Sequence, residues 1–443
     1  MNKSNLRVFY LAAMLFCILP RTLAIDFAGV SQRVLEYEAP ATSGLSTVYV
    51  LSSTENVTIS YRATNPQSVR WYSFNNLGGG YAQEIPVSVS GTDVSVRALD
   101  GDRGYIIEEG SARHYFWVTD YSVHELALNA LNTAPEQECG HARLSLDGSA
   151  GEIPYFGING RRFVLSRELK ATYNTLEFDE SSFVYVQKEA VQTLASAAAD
   201  IAIDAPLCDT SVRLSGDRFL AAWGREVSVE SPVIPALAVA CQTRATQSTT
   251  SSDNQQRTEG AELGGSAPCD ITFEAVVTDG AVFREWQISR DSEFGIVENT
   301  FSDLVFDYTF REQGRTFVRF ICDNSSGTCQ SDGPTYEIFI GESKLDIPNA
   351  FSPEGSPGVN DLWKVSYRSL VSYECHIFNR YGKELFSSTD PAEGWDGRSG
   401  GKYVSSGVYF YVIKAVGADG VKYDRAGDIN IIKYSPGIQP SAE

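Results

Sequence analysis

The chain has 443 residues with 36 Lys and Arg against 56 Asp and Glu, a formal net charge of −20. That balance excludes the basic stripe of a nucleic-acid binder and a dock for anionic lipid. Hydrophobic residues reach 43% and charged ones 21%, with Phe (23) and Tyr (22) plentiful and Met (2) scarce, a globular composition that leans towards strands.

Residues 1–24 read as a secretory signal peptide. Lys3 and Arg7 form a positive start, Leu11 to Leu19 a short apolar core, and Thr22-Leu23-Ala24 offers small residues at a cleavage site. The apolar run is about half of what a membrane span needs. Phe16 precedes Cys17 where a lipoprotein needs a small residue. The mature chain is expected to begin at Ile25, and no later stretch approaches the ~18 apolar residues of a span.

The first module is expected over 25–135. STVYVLS (46–52), NVTISY (56–61), VRWYSF (69–74), DVSVRAL (93–99) and HYFWVTDY (114–121) are short alternating runs separated by turn residues. That pattern predicts an antiparallel sandwich with Trp71 and Trp117 as core aromatics. A second, β-rich module is expected over 136–241. IPYFGI (153–158), Asn159-Gly160 and RRFVLS (161–166) predict a hairpin with a type I′ turn. TSVRLSG and REVSVESPV add strands. Val186 to Ala199 mixes Ala-rich and strand-like signals, and at most one short helix is expected there.

Residues 242–263 open with QTRATQSTTSSDNQQ and are expected to form a polar linker or loop. A third module follows over 264–343. Ile271, Phe273, Ala275 and Val277 share one face of a strand, and Val282, Trp286 and Ile288 share another. FDYTFREQGRTFVRFIC (306–322) resembles the end of PKD-like and other immunoglobulin-like modules, which implies the same sandwich fold here.

Seven cysteines follow the leader. Cys322 and Cys329 flank the polar turn DNSSGT, and facing strand positions lie about 4.5–5.5 Å apart, within disulfide reach. Cys139 with Cys208 and Cys241 with Cys269 are further candidate pairs. Spacing alone leaves the connectivity open, since six cysteines allow about 15 pairings. Cys375 sits mid-strand and reads as a buried thiol.

The last module, 344–435, carries IPNAFSP (347–353), GVNDLW (358–363), HIFNRYGKELF (376–386), GWDG (394–397), SSGVYFYVI (405–413) and GDINIIK (427–433). This ordered series resembles the gliding-motility-associated C-terminal domain, the type B sorting domain of the Bacteroidota type IX secretion system. The motif positions are Pro348, Asn349, Phe351, Pro353, Asn360, Asp361, Trp363, Phe378, Asn379, Arg380, Gly382, Trp395, Asp396, Gly397, Gly407, Tyr409 and Tyr411. The resemblance implies a small immunoglobulin-like sandwich that addresses its cargo to the outer-membrane translocon. Read from the residues, Pro348 and Pro353 bracket an extended lead-in, and Gly382 suits positive φ. Val408, Phe410 and Val412 alternate with Tyr409, Tyr411 and Ile413, so this strand is expected to be central and covered on both faces. EGSPGVND departs from the family's Asn-Gly-Asp-Gly run and lacks its middle Asp. It therefore reads as a rigid surface loop rather than a Ca²⁺ site. A tail of 436–443 follows.

Signals for chemistry are sparse. Four histidines include no HExxH and no i, i+4 pair. Cys139-Gly140-His141 is a half-site without a partner pair. There is no G-x-S-x-G elbow and no P-loop. The expected fold class is all-β, as tandem immunoglobulin-like antiparallel sandwiches. The expected function is a non-enzymatic exported protein of the cell surface or medium, serving adhesion, ligand binding or envelope structure without a cofactor. Two alternatives stay open: a secreted hydrolase with a carboxylate pair in 136–262, and a structural accessory of the secretion or gliding apparatus.

Overall fold

The computed structural model describes residues 25–78, 80–135, 137–236, 238–248, 252–353 and 360–432. The expected signal peptide, the loop 354–359 and the tail lie outside the described residues. Strands dominate. The helical content among the described residues is one five-residue α-helix, Arg218–Ala222, and three short 3-10 turns.

Two sheets open the chain. Ile25–Ala28, Thr58–Arg62, Asp93–Arg97 and Ser88–Ser90 form one, in that order. Leu35–Glu38, Thr47–Leu51, Ala112–Asp120, Arg103–Glu109, Val69–Phe74 and Gln83–Ile85 form the other. Pairing is antiparallel except between Ala112–Asp120 and Thr47–Leu51, which run parallel. Ile59, Val94, Trp71, Ile107 and Phe116 fill the space between the sheets. The Tyr105 hydroxyl donates to the Asp100 carbonyl at 2.7 Å, which pins the corner before its strand as buried phenols do in such sandwiches.

The six-stranded sheet is covered on its other face as well. Successive side chains alternate across a strand, so Val48, Val50, Phe74, Ile106 and Trp117 point away from the first core. They join Leu144, Ile153, Tyr155, Leu169, Leu214 and Phe219 in a second, continuous core. Trp117 lies 6.0 Å from Phe156, ring to ring. The first two modules therefore share one apolar layer.

That second core is enclosed by Ala127–Thr133, His141–Ser149 and Asp200–Asp204 on one side. The other side is Val184–Leu194, Leu169–Asp179, Val212–Gly216 and Val227–Glu230. The hairpin Ile153–Phe156 with Arg162–Leu165 forms as expected, but its turn is not type I′. Gly160 donates to the Gly157 carbonyl at 3.0 Å and alone of the Asn-Gly pair has positive φ, 77°. This is a three-residue loop closed by a left-handed glycine, the next most common hairpin turn. Asn159 uses its side chain instead, accepting from the Arg161 N–H at 3.0 Å. The ambiguous stretch 186–199, where at most one short helix is expected, holds none. Val184–Leu194 pairs with Leu169–Asp179 along its whole length, and a long cross-strand partner outweighs the weak propensity of a few alanines.

A buried ion pair sits where the second module begins. Arg167 and Asp217 have side chains 2% and 0% exposed and meet at 2.6 Å. Arg167 also donates to the carbonyls of Gly151 and His124. Asp217 accepts from the Tyr121 hydroxyl at 3.0 Å and caps the helix through the Leu220 N–H at 3.0 Å. Every charged atom thus has a partner, which is the condition for burying charge at all.

The third sandwich begins earlier than expected. Cys241–Gln247 is not a linker but an edge strand, paired with Cys269–Val277, which in turn pairs with Val305–Phe310. Gln242, Arg244 and Thr246 face water, and the inward positions include the polar Thr243 and Gln247, so no apolar pattern announces it. The facing sheet runs Leu263–Gly265, Tyr336–Ile340, Gly314–Asp323, Phe283–Ser289 and Asn299–Phe301. Phe273, Trp286, Phe306 and Phe320 form its aromatic core. Trp286 and Ile288 are buried as expected, whereas Val282, before the strand starts, is 57% exposed.

The disulfides differ from those expected. Cys139 bonds Cys329, joining the second module to the third. Cys322 instead turns into the third core, and its strand partner is Ser331, not Cys329. Cys208 is a buried free thiol. Cys241 pairs in register with Val277, at the far end of that strand from Cys269, so those two cannot meet.

Within the supposed linker, residues 253–256 dock on the last sandwich. Asn254 Nδ2 donates to the carbonyls of Val365 and Pro391, both at 2.8 Å. The Gln256 N–H donates to the Tyr367 carbonyl at 2.7 Å. The last sandwich has a five-stranded sheet in the order Ala350–Phe351, Lys422–Ile431, Gly407–Gly417, Leu370–Phe378 and Glu384–Ser388. Gly407–Gly417 is central as expected, but it is covered on one face only. Val408 and Phe410 are 47% and 45% exposed.

Replacing Arg167 by Ala strands a buried carboxylate, and a loss of about 3–5 kcal/mol is expected. Chemical denaturation of the purified chain checks this. A change under about 1 kcal/mol would mean the pair is not buried as described.

Candidate functional site

The motif phrases of the last module converge on one buried edge. Trp363 and Trp395 exchange backbone hydrogen bonds, the N–H of each donating to the carbonyl of the other at 2.9 and 3.0 Å. Trp363 Nε1 donates to the Pro348 carbonyl at 2.8 Å, and its ring lies 5.5 Å from Tyr411. Trp395 Nε1 donates to the Arg398 carbonyl at 3.0 Å. Its ring lies 5.5 Å from both Phe351 and Tyr409. Both indoles are buried, and each finds the hydrogen-bond partner that a buried Trp needs. The lead-in phrase adds to the sheet edge, with the Asn430 N–H donating to the Asn349 carbonyl at 2.9 Å.

Turn geometry explains the small residues. Gly397 has φ 74°, and a Cβ there would lie 2.9 Å from the Pro353 ring, so the GWDG turn admits only glycine. Asp396 accepts from the Arg398 N–H at 3.0 Å. Asn379 Oδ1 accepts from the N–H groups of Tyr381 and Lys383, and Gly382 closes that turn at φ 78°. Asn360 has φ 55°, and its carbonyl accepts from Ser352 at 3.0 Å. Asp361 is half-buried beside it, while 354–359 of the same loop lies outside the described residues. Gly407 opens the central strand, and the Tyr409 hydroxyl donates to the Ser405 carbonyl at 2.7 Å.

The motif positions thus divide in two. Phe351, Trp363, Trp395 and Tyr409 are buried and hold the fold. Arg380 and its neighbour Tyr381, 79% exposed, stand on the surface with Val408 and Phe410. Phe378 is half-buried beside His376. The expected buried thiol at Cys375 is in place, and burial pushes it up to about 11.

Residues 136–262 contain an open cleft of about 720 Å³ lined by Glu168, Lys170, Asp217, Arg218, Arg225 and Glu226. Glu168 is paired to Arg218 at 2.6 Å, Asp217 to Arg167, and Glu226 to Arg213 at 3.2 Å. This is ion pairing, not the facing acid and base of glycoside hydrolysis. The half-site Cys139-Gly140-His141 is taken apart, because Cys139 is in the disulfide and His141 approaches Asp204 at 3.9 Å. Among the described residues no group of three or more His, Cys, Asp or Glu is placed to hold a metal ion. Among them, too, no helix is long and apolar enough to cross a membrane. Sequence reading missed Arg167, Asp217 and Asn254, whose partners are far away in the chain.

His376 lies between Glu374 and Glu384, with each carboxylate 3.0 Å from a ring nitrogen. The hydrogen bond to Glu374, then that to Glu384, raises it above its usual 6.5. A raised value favours the folded state below about pH 6.5, and that contribution is lost as pH rises through the folded-state value. NMR titration of the His376 ring should show a midpoint above 6.5, and the Glu374→Gln change should lower it.

Comparison with known proteins agrees with this geometry. Residues 345–431 match the family model of the CHU_C Type IX secretion signal domain. Residues 131–231, the second sandwich, match the fibronectin type III domain. A search of curated proteins returns no match. Among solved structures, the chain is similar to a tetra-tandem repeat in the extending region of a large adhesion protein. Identity there is 12% over 86% of this chain and 96% of that one, with a TM-score of 0.22. It is also similar to dimeric latent PorU from Porphyromonas gingivalis, at 12% identity over 72% of this chain and 35% of that one, TM-score 0.15. The three N-terminal domains of the bacteriophage RB49 Hoc capsid protein give 12% identity over 70% and 99%, TM-score 0.22. Scores this low leave the fold resting on the sheets described above. The chain carries a type IX secretion signal domain behind β-sandwiches of which one is a fibronectin type III domain, and the signal domain marks it for export to the cell surface or the extracellular space.

Proposed function

We propose that the chain is a non-catalytic surface or secreted scaffold, delivered by its C-terminal domain and working through adhesion, ligand binding or envelope structure. The observation that carries this reading is the way the modules are joined. The first two share a core, a disulfide ties the second to the third, and Asn254 and Gln256 bind the third to the last. Such joints suit a stiff spacer that presents its ends, where loops of sandwiches do their binding. The outer-membrane translocon is the partner of the C-terminal domain in this reading.

Deleting 345–443 should leave the upstream sandwiches folded, since no buried residue of their cores comes from that segment. The truncated chain should accumulate in the periplasm. Its normal appearance at the surface, by fractionation and protease accessibility, would sink the sorting role. Trp395→Ala should cost about 3–5 kcal/mol as a buried aromatic truncation, and export should fall in step with loss of fold. A folded Trp395→Ala chain that is not exported would show that the ring itself is read during export.

A further inference from the structure

Two buried thiols of the third sandwich face each other across its two sheets. Cys241 lies on the edge strand Cys241–Gln247 of one sheet, and Cys322 on the central strand Gly314–Asp323 of the other. They are 7% and 1% exposed and belong to the same core. The Cys241 sulfur lies 3.7 Å from the Ser331 hydroxyl, and Ser331 is the register partner of Cys322. Each thiol lies close enough to shift the titration of the other.

We propose that Cys241 and Cys322 form a second disulfide in the exported protein, bridging the two sheets of the third sandwich beside the Cys139–Cys329 link. Thiols of an exported chain meet an oxidising compartment. Cys241, on the edge strand and the more exposed of the two, attacks first as thiolate. Before the sheets close, it attacks the disulfide of a thiol oxidant and releases one oxidant thiol. Cys322 then loses its proton, attacks Cys241 in the mixed disulfide and releases the second. The oxidant is reduced to its dithiol, and the two cysteines lose two electrons and two protons in all.

The surroundings suit a permanent bridge. The pair lies near the joint with the second module, close to Tyr185 on the strand Val184–Leu194. The existing disulfide lies only a few residues away along the chain, because Gly314–Asp323 continues through the turn to Cys329. Two bridges there would lock both the joint and the sandwich that receives it.

The test is a thiol count on the full chain collected from the medium or cell surface. The protein is denatured without reductant and alkylated, and its digest is mapped by mass spectrometry. The expected result is three alkylated cysteines, Cys208, Cys269 and Cys375, with a cross-linked peptide joining Cys241 to Cys322. Cys322→Ser should free Cys241 and raise the count to four. Five alkylated cysteines in the parent chain would overturn the proposal. So would a Cys241–Cys269 or Cys322–Cys329 cross-link, or a Cys322→Ser chain in which Cys241 stays blocked.

Discussion

The six-stranded sheet around Ala112–Asp120 is apolar on both faces, and the build of the upstream chain follows from the need to cover it. One face takes the four-stranded sheet of the same module. The other would leave Trp117, Phe74 and Ile106 in water, so it takes the second module. Burying side chains of this size is worth about 1.5–3 kcal/mol each. A joint that buries several of them is not a hinge. The connection between the modules is accordingly short and ordered, with Tyr121 hydrogen-bonded to buried Asp217.

Polar contacts then set the orientation that apolar contact leaves loose. Hydrophobic burial is non-directional, whereas Arg167 meets Asp217, Gly151 and His124 in a fixed fork. Buried pairs of this kind add little net stability over an apolar substitute. Their value here lies in register, because one slipped position would leave a charge unpaired. The same division of labour recurs downstream. The third core is aromatic, while its junction with the last sandwich adds directed polar contacts, among them the Asn254 amide on two backbone carbonyls.

The secretion-signal domain shows how a recurring motif can be mostly structural. Its two tryptophans anchor the lead-in phrase and the GWDG turn to each other and to the central strand. The buried ones are out of reach of any partner while the domain is folded. What the folded domain exposes is the open sheet face with Val408 and Phe410 and the turn with Arg380 and Tyr381. The motif is therefore chiefly a recipe for the fold, and the fold presents the surface.

Local features were legible in the sequence because they depend on neighbours. Period-2 runs marked most strands, Asn-Gly marked the 157–161 turn, and the ordered phrases from Ile347 onward marked the export domain. The edge strand Cys241–Gln247 was hidden, since its inward positions include Thr243 and Gln247, which bond to Tyr336 and Gly264 rather than adding to an apolar stripe. The strand at Val184–Leu194 was obscured by alanines whose preference a long partner strand overrode. Disulfide partners were hidden for a plainer reason: Cys139 and Cys329 are 190 positions apart, and spacing carries no information about which modules touch. The sequence by itself determined that the chain is β-rich, acidic and addressed for export. Only the tertiary structure decided that the first two modules share a core, that Arg167 finds Asp217, and that the supposed linker is a strand and a clamp. Those outcomes depend on contacts between distant segments, which exist only once the sheets have packed.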